Sequence, residues 1–306
     1  MRATNFVITA GSHPVDTSPD AFGVLRSSIN LLGDRDALHQ RMEEDGYLFL
    51  PQYLDHDEVT PARQAVCHKL TSHGMLDLNH RVIDAIAAPD ASVKEMMKLA
   101  QDNPPLMKLL YSGRMIAFYE MFLGGPVRHY DYTWFRAVSP GNGTYAHCDV
   151  VYMGRGTPRL FTSWTPIGDV TLEDGGLMIM EGSNRLQRLR DHYCKTDVDV
   201  VCLNRHTHDG KPKMQNPTYG RLTNNPVRLR RNLAMRWLTA DYKMGDLLIF
   251  SVFTIHCSLD NQGKRIRLSS DSRYQLASEP ADERWISIDG QPPIAFGELS
   301  RQEMIC

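Results

Sequence analysis

The chain has 306 residues, enough to bury a large core in one elaborated domain or two small ones. Its 34 Lys and Arg against 36 Asp and Glu leave a net charge of -2, with 42% hydrophobic and 23% charged residues. That balance excludes bulk electrostatic attraction to nucleic acid or an anionic membrane as the main activity, and it excludes native disorder.

Residues 1–34 carry little periodicity and read as an arm wrapped on a domain. Residues 35–50 pass from helical spacing into strand alternation, with Asp45-Gly46 marking the break. The stretch LDHDEVTPARQAVCHKLTSH opens with acidic residues and sets Val59, Ala62, Ala65, Val66 and Leu70 on one face of an amphipathic helix. Further helices are expected over 81–123, in VKEMMKLA and PPLMKLLYSGRMIAFYEMFLG, the last closing at Gly124-Gly125 as a C-cap.

From residue 126 the texture changes to short runs rich in Val, Ile, Tyr, Phe, Trp and Thr, separated by turn clusters such as PGNG, EDGG, KMGD and NQGK. This is antiparallel β sequence. The whole reads as a single α+β domain over 1–306: a mainly helical buttress (1–125), a jelly-roll, cupin-like double-stranded β-helix (126–275) and a C-terminal extension (276–306). Residues 204–236 interrupt the pattern with eight Lys and Arg against one Asp, and read as a long irregular loop inserted between strands, a mobile lid.

Chemistry concentrates at three places. His147 and Asp149 lie two apart after the PGNG turn, so strand periodicity sets both on one face. His256 follows the apolar run LLIFSVFTI. Two histidines and a carboxylate converging inside a barrel form a facial triad that holds Fe(II) and leaves three positions open, two for a 2-oxo acid and one for O2. Arg267 follows His256 by eleven residues across an Asn-Gln-Gly-Lys turn, which in a tight hairpin places it on the adjacent strand as a bidentate carboxylate clamp. Ser258 and Ser269 share the faces of His256 and Arg267.

Four ordered blocks, EEDGYLFLPQYLDHDEV, the H-C-D at 147–149, TSWTPIGDVTLEDGGLMIMEGSNR and the H-C-S at 256–258 followed by Arg267, resemble the phytanoyl-CoA dioxygenase family of Fe(II)/2-oxoglutarate-dependent oxygenases over roughly residues 40–275. The resemblance implies that His147, Asp149 and His256 are the catalytic iron ligands, and that Arg267, Ser258 and Trp164 contact the cosubstrate 2-oxoglutarate, with Ser269 on the same anion. It also implies oxidation of a small molecule with release of succinate and CO2, hydroxylation leading over desaturation, epoxidation and ring formation, and family substrates that run from acyl-CoA thioesters to amino acids and secondary metabolites. Cys148 stands where the family often has Gln, and Asn184 where it has the His of Gly-Ser-His. Related halogenases replace the carboxylate with a small residue, so Asp149 argues for oxygenation.

Competing readings of the same residues are a cupin-type metal-dependent hydrolase or isomerase, which leaves Arg267 without a task, and a non-catalytic ligand-binding barrel, against which the intact ligands count. His206, His208 and Asp209 form a second cluster, read as a solvated loop. Arg228, Arg230 and Arg231 raise the expectation of an anionic substrate. Cys148 and Cys257 follow proposed ligands and are expected to point away as packed thiols. With no apolar run of about 18 residues, no signal-peptide pattern in the first twenty residues and six scattered cysteines, the expectation is a cytoplasmic monomer or homodimer with no membrane or nucleic-acid partner.

Overall fold

The computed structural model describes residues 6–93, 96–199 and 220–293. In the N-terminal arm, strands β1 (Thr9–Ala10), β2 (His13–Pro14) and β3 (Phe22–Val24) precede helix α1 (Arg35–Asp45) and strand β4 (Tyr47–Leu50). Asp34 caps α1 by accepting from the Ala37 amide, and Gly46 ends it with a left-handed φ of 82°. A Cβ at Gly46 would lie 2.6 Å from Asn184 Oδ1, so only glycine fits this break. Helix α2 (His56–Ser72) buries Val59, Ala62, Val66 and Leu70 as their spacing predicts, with Ala65 at its margin. Helices α3 (Pro104–Tyr111) and α4 (Gly113–Leu123) follow, parted at Ser112, which is extended, and α4 closes on Gly124. Among the described residues, the VKEMMKLA segment contributes a 3-10 turn at Met96–Leu99.

The β half contains β5 (Val127–His129), β6 (Trp134–Val138), the one-turn helix α5 (Val150–Met153), β7 (Phe161–Pro166), β8 (Leu177–Met180), helix α6 (Gln187–Asp191), helix α7 (Pro226–Leu233), β9 (Trp237–Thr239), β10 (Leu247–Ser251), β11 (His256–Ser258) and β12 (Arg267–Leu276). One sheet has the order β4-β10-β7-β12-β5, with β6 also on β12; the other runs β11-β8-β9-β3. The arm is thus part of the fold, since β3 pairs with β9.

Alternation distributes the large sheet's two faces. Leu48, Leu247, Ile249, Phe161 and Leu268 point outward into a core shared with α1–α4. Tyr47, Phe49, Leu248, Phe250 and Trp164 point inward and meet Leu177, Ile179 and Leu238 of the small sheet. The helical buttress therefore covers one sheet, and the interior between the sheets is free for a site. Each fully buried large apolar side chain on these faces contributes about 1.5–3 kcal/mol, so both faces are firmly specified.

Residues 220–236 depart from the irregular loop expected. Asn225 caps α7 by accepting from the Arg228 amide, Pro226 occupies its first turn, and Leu222, Leu229, Leu233 and Met235 pack on the core outside the small sheet. The rest of that loop, with His206, His208 and Asp209, lies outside the described residues, as do the residues of the C-terminal extension beyond 293.

Candidate active site

His147 and His256 are directly opposed residues of an antiparallel bridge, each amide donating to the other's carbonyl at 3.1 and 3.0 Å. Opposed residues carry their side chains on the same face, and the two rings lie 4.2 Å apart. Asp149 does not share a strand with His147 as expected. Extended backbone ends at His147, and Asp149 adopts helical φ -65°, ψ -27° at the head of α5, held there by the Val150 amide donating to Val252. A strand would carry residues two apart by roughly 6.6 Å; the helical turn instead brings Asp149 Oδ1 to 3.5 Å from His147 Nε2 and 3.6 Å from His256 Nε2.

This donor set fits a divalent cation. One ligand atom from each of the three residues falls within 4.8 Å of the others. His147 Nδ1 is 3.0 Å from the Tyr145 carbonyl and His256 Nδ1 is 3.1 Å from the Thr254 carbonyl. Donation there leaves each Nε2 lone pair facing the centre. Burial, then His147, push the His256 imidazolium down to about 4, so the ring is neutral at physiological pH. Burial opposes ionisation of Asp149, but Arg273 first, then His256 and His147, hold its carboxyl well below the usual range. Two imidazole Nε2 atoms and one carboxylate oxygen suit Fe(II) with open positions.

Arg267 does not arrive by a hairpin. β11 and β12 belong to different sheets, and the chain crosses between them. It nevertheless lines one narrow cavity with His147, His256, Trp164 and Arg136. Its Nη1 donates to Ser269 Oγ at 3.3 Å, while buried Nε and Nη2 have no hydrogen-bond partner among the described residues. Burial, then Arg136, lower its guanidinium to about 10. Arg265 is otherwise engaged, gripping Asp174 at 3.1 and 2.6 Å near the surface. Trp164 is inward and buried in the cavity wall against Tyr242. Ser258 Oγ accepts from the Thr144 amide at 2.8 Å.

A second cavity of about 370 Å³ is lined by His147 and Asp149 and walled by Tyr132, Trp134, Tyr145, Tyr152 and Arg273. Arg136 lines both cavities, its Nε donating to Asp271 Oδ2 at 3.0 Å. A larger hollow of about 480 Å³ beside Cys194 and Arg155 contains none of these three converging side chains, so size alone would mislead. Cys148 and Cys257 face away into apolar packing, where burial raises both thiols well above their usual range.

Two residues at the centre escaped the sequence reading. Arg273 donates to Asp149 Oδ2 at 2.9 Å and Thr162 to the same oxygen at 2.6 Å. Extending the Arg267–Ser269 alternation along β12 would have reached Asp271 and Arg273, whereas nothing local marks Thr162.

The family model described as phytanoyl-CoA dioxygenase matches residues 42–269. A 1-deoxypentalenic acid 11-beta-hydroxylase of Streptomyces exfoliatus is 26% identical over 265 residues, covering 81% of this chain and 83% of that protein. Among solved structures, the non-heme alpha ketoglutarate dependent carbocyclase SnoK from nogalamycin biosynthesis superposes with TM-score 0.57 at 16% identity, covering 92% of this chain and 96% of that one. EctD from S. alaskensis, solved with 2-oxoglutarate and 5-hydroxyectoine, superposes with TM-score 0.55 at 17% identity, covering 96% and 92%. At these identities the two structures establish the shared jelly-roll fold.

Proposed function

The chain belongs to the phytanoyl-CoA dioxygenase family of Fe(II)- and 2-oxoglutarate-dependent oxygenases, and from that premise we propose how its residues divide the work and that its small-molecule substrate is an organic acid. His147 Nε2, Asp149 Oδ1 and His256 Nε2 hold the iron. Arg267 grips the far carboxylate of 2-oxoglutarate with Nε and Nη2, and Trp164 forms the wall along it. The single observation that carries this reading is the convergence of those three ligand atoms beside a buried guanidinium with two unpartnered donors. Two such donors match a carboxylate's two oxygens. A hydrolase or isomerase reading gives that guanidinium nothing to bind.

Bound iron, with 2-oxoglutarate and O2, supplies the oxidant for C–H hydroxylation while the cosubstrate leaves as succinate and CO2. The chain's own residues supply placement. Tyr132, Trp134, Tyr145 and Tyr152 form a largely aromatic cavity against His147 and Asp149, which holds an apolar skeleton close to the metal position and displaces water from it.

Charge supports the acid. The two cavities contain three guanidinium groups, on Arg136, Arg267 and Arg273, against two carboxylates, on Asp149 and Asp271. Fe(II) and the 2-oxoglutarate dianion cancel each other, so one positive charge stays uncompensated, a costly state in a low-dielectric site. Arg136 is where a substrate anion can reach it: its side chain is 27% exposed, against 2% for Arg273. The Streptomyces relative is likewise named for an acid.

The test is Fe(II)-dependent succinate formation across a panel of polycyclic carboxylic acids and their methyl esters, with wild type and Arg136→Met. We expect the acids to stimulate succinate release above the esters, and the variant to lose that preference. Equal stimulation by acid and ester in wild type would remove the acid-substrate reading while leaving the oxygenase intact.

A further inference from the structure

We propose that Arg273 and Thr162 form a positioning clamp that keeps Asp149 a one-oxygen ligand, and so keeps a coordination position open for cosubstrate or O2. The inference rests on the metal site proposed above and deepens it.

The clamp is built into the sheet. Arg273 on β12 and Thr162 on β7 are directly opposed partners in the antiparallel ladder, both on the inward face. Opposed residues keep a fixed separation, so two donors arrive together at one point. That point is Asp149 Oδ2, which accepts from Arg273 Nη2 at 2.9 Å and from Thr162 Oγ1 at 2.6 Å. The other oxygen, Oδ1, faces both imidazoles. The carboxylate thus has one edge committed to the protein and one to the centre.

Arg273 is itself immobilised. Its guanidinium carbon sits 4.1 Å over the Trp134 ring, its Nη1 donates to the Asp271 carbonyl at 3.2 Å, and its side chain is 2% exposed. A carboxylate without these two donors can rotate to offer both oxygens to a metal, and the second oxygen then takes one of the three positions the chemistry needs. Arg273 also lines the aromatic cavity, but in this account neither it nor Thr162 touches the metal; both act on the metal position through Asp149.

The experiment uses the full chain loaded with Co(II), whose visible absorption reports coordination, and calorimetric titrations with Mn(II) and 2-oxoglutarate. Thr162→Val removes the hydroxyl at nearly constant volume, and Thr162→Ser restores it. Arg273→Lys retains charge and one donor. Outer partners of metal ligands typically influence metal affinity by about 10–100-fold. For Thr162→Val we expect roughly tenfold weaker Mn(II) binding, weaker 2-oxoglutarate binding at saturating metal and an altered Co(II) spectrum. Thr162→Ser should bring all three back toward wild type, and Arg273→Lys should fall between. Because Thr162→Val preserves packing, its melting temperature serves as the folding control. If the variant folds normally and shows wild-type Mn(II) and 2-oxoglutarate affinities and an unchanged Co(II) spectrum, the clamp is wrong. If Mn(II) fails to bind wild type at these three residues, the metal-site assignment fails instead, a distinguishable outcome.

Discussion

Replacing Arg267 probes the cosubstrate site without touching the metal ligands. Its Nε and Nη2 are buried without hydrogen-bond partners among the described residues, and each such unmet donor costs about 1–3 kcal/mol. Arg267→Met fills much of the same space with no polar group; relief of two unmet donors, about 2–6 kcal/mol, outweighs the lost Nη1–Ser269 bond at about 1.5–3 kcal/mol, so without cosubstrate the variant should be more stable than wild type by about 1–3 kcal/mol. Binding changes in the opposite sense. Two charge-assisted hydrogen bonds at the low end of about 1.5–3 kcal/mol each give about 3 kcal/mol, so 2-oxoglutarate affinity should fall roughly a hundredfold. Lys at this position keeps the charge but loses the fork, and should recover only part of that loss. Chemical denaturation measures the first effect, and anaerobic calorimetry with Fe(II) and 2-oxoglutarate the second. Arg265→Ala is the control, because that guanidinium is committed to Asp174. A large affinity loss in Arg265→Ala with none in Arg267→Met would refute the reasoning.

The folded value of His256, about 4, lies below its unfolded value near 6.5, so between these pH values the unfolded chain binds more protons. That contribution to the metal-free protein is complete above about pH 6.5 and is lost as pH falls toward 4, amounting to about 1.4 kcal/mol between pH 7.5 and 5.5. Denaturation curves should show this loss in wild type and a smaller one in His256→Gln; equal losses would contradict it. Asn184 Nδ2 donates to the Glu43 carbonyl at 2.9 Å, tying the segment after β8 to the end of α1. Asn184→Ala should lower stability by about 1–3 kcal/mol and leave Mn(II) affinity unchanged, and a loss of Mn(II) affinity would assign it to the site.

Much of the architecture was legible because local and tertiary signals agree. The Gly46 break and the apolar spacing of Val59, Ala62, Val66 and Leu70 each have a short-range cause. The meeting of His147, Asp149 and His256 was legible too, though it comes about for a different reason from the one alternation offers. Val150, Val151 and Tyr152 have strand propensity, yet packing on Val252 turns them into one helical turn, an override that no local rule contains. The supposed hairpin before Arg267 failed because a short turn-rich connection reads the same whether it returns along one sheet or crosses to another. α7 was readable and overlooked: Asn225-Pro226 is a cap followed by a first-turn proline, and Leu229 and Leu233 recur at helical spacing. Thr162 stayed invisible because its role exists only through the ladder that sets it beside Arg273.

Anomalous diffraction from crystals grown anaerobically with Fe(II), measured on both sides of the iron absorption edge, tests the central claim most directly. We expect one strong iron peak at coordination distance from His147 Nε2, Asp149 Oδ1 and His256 Nε2, with Asp149 Oδ2 remaining on Arg273 and Thr162. Iron bound elsewhere, or no iron at these three residues in a folded protein, would contradict the account.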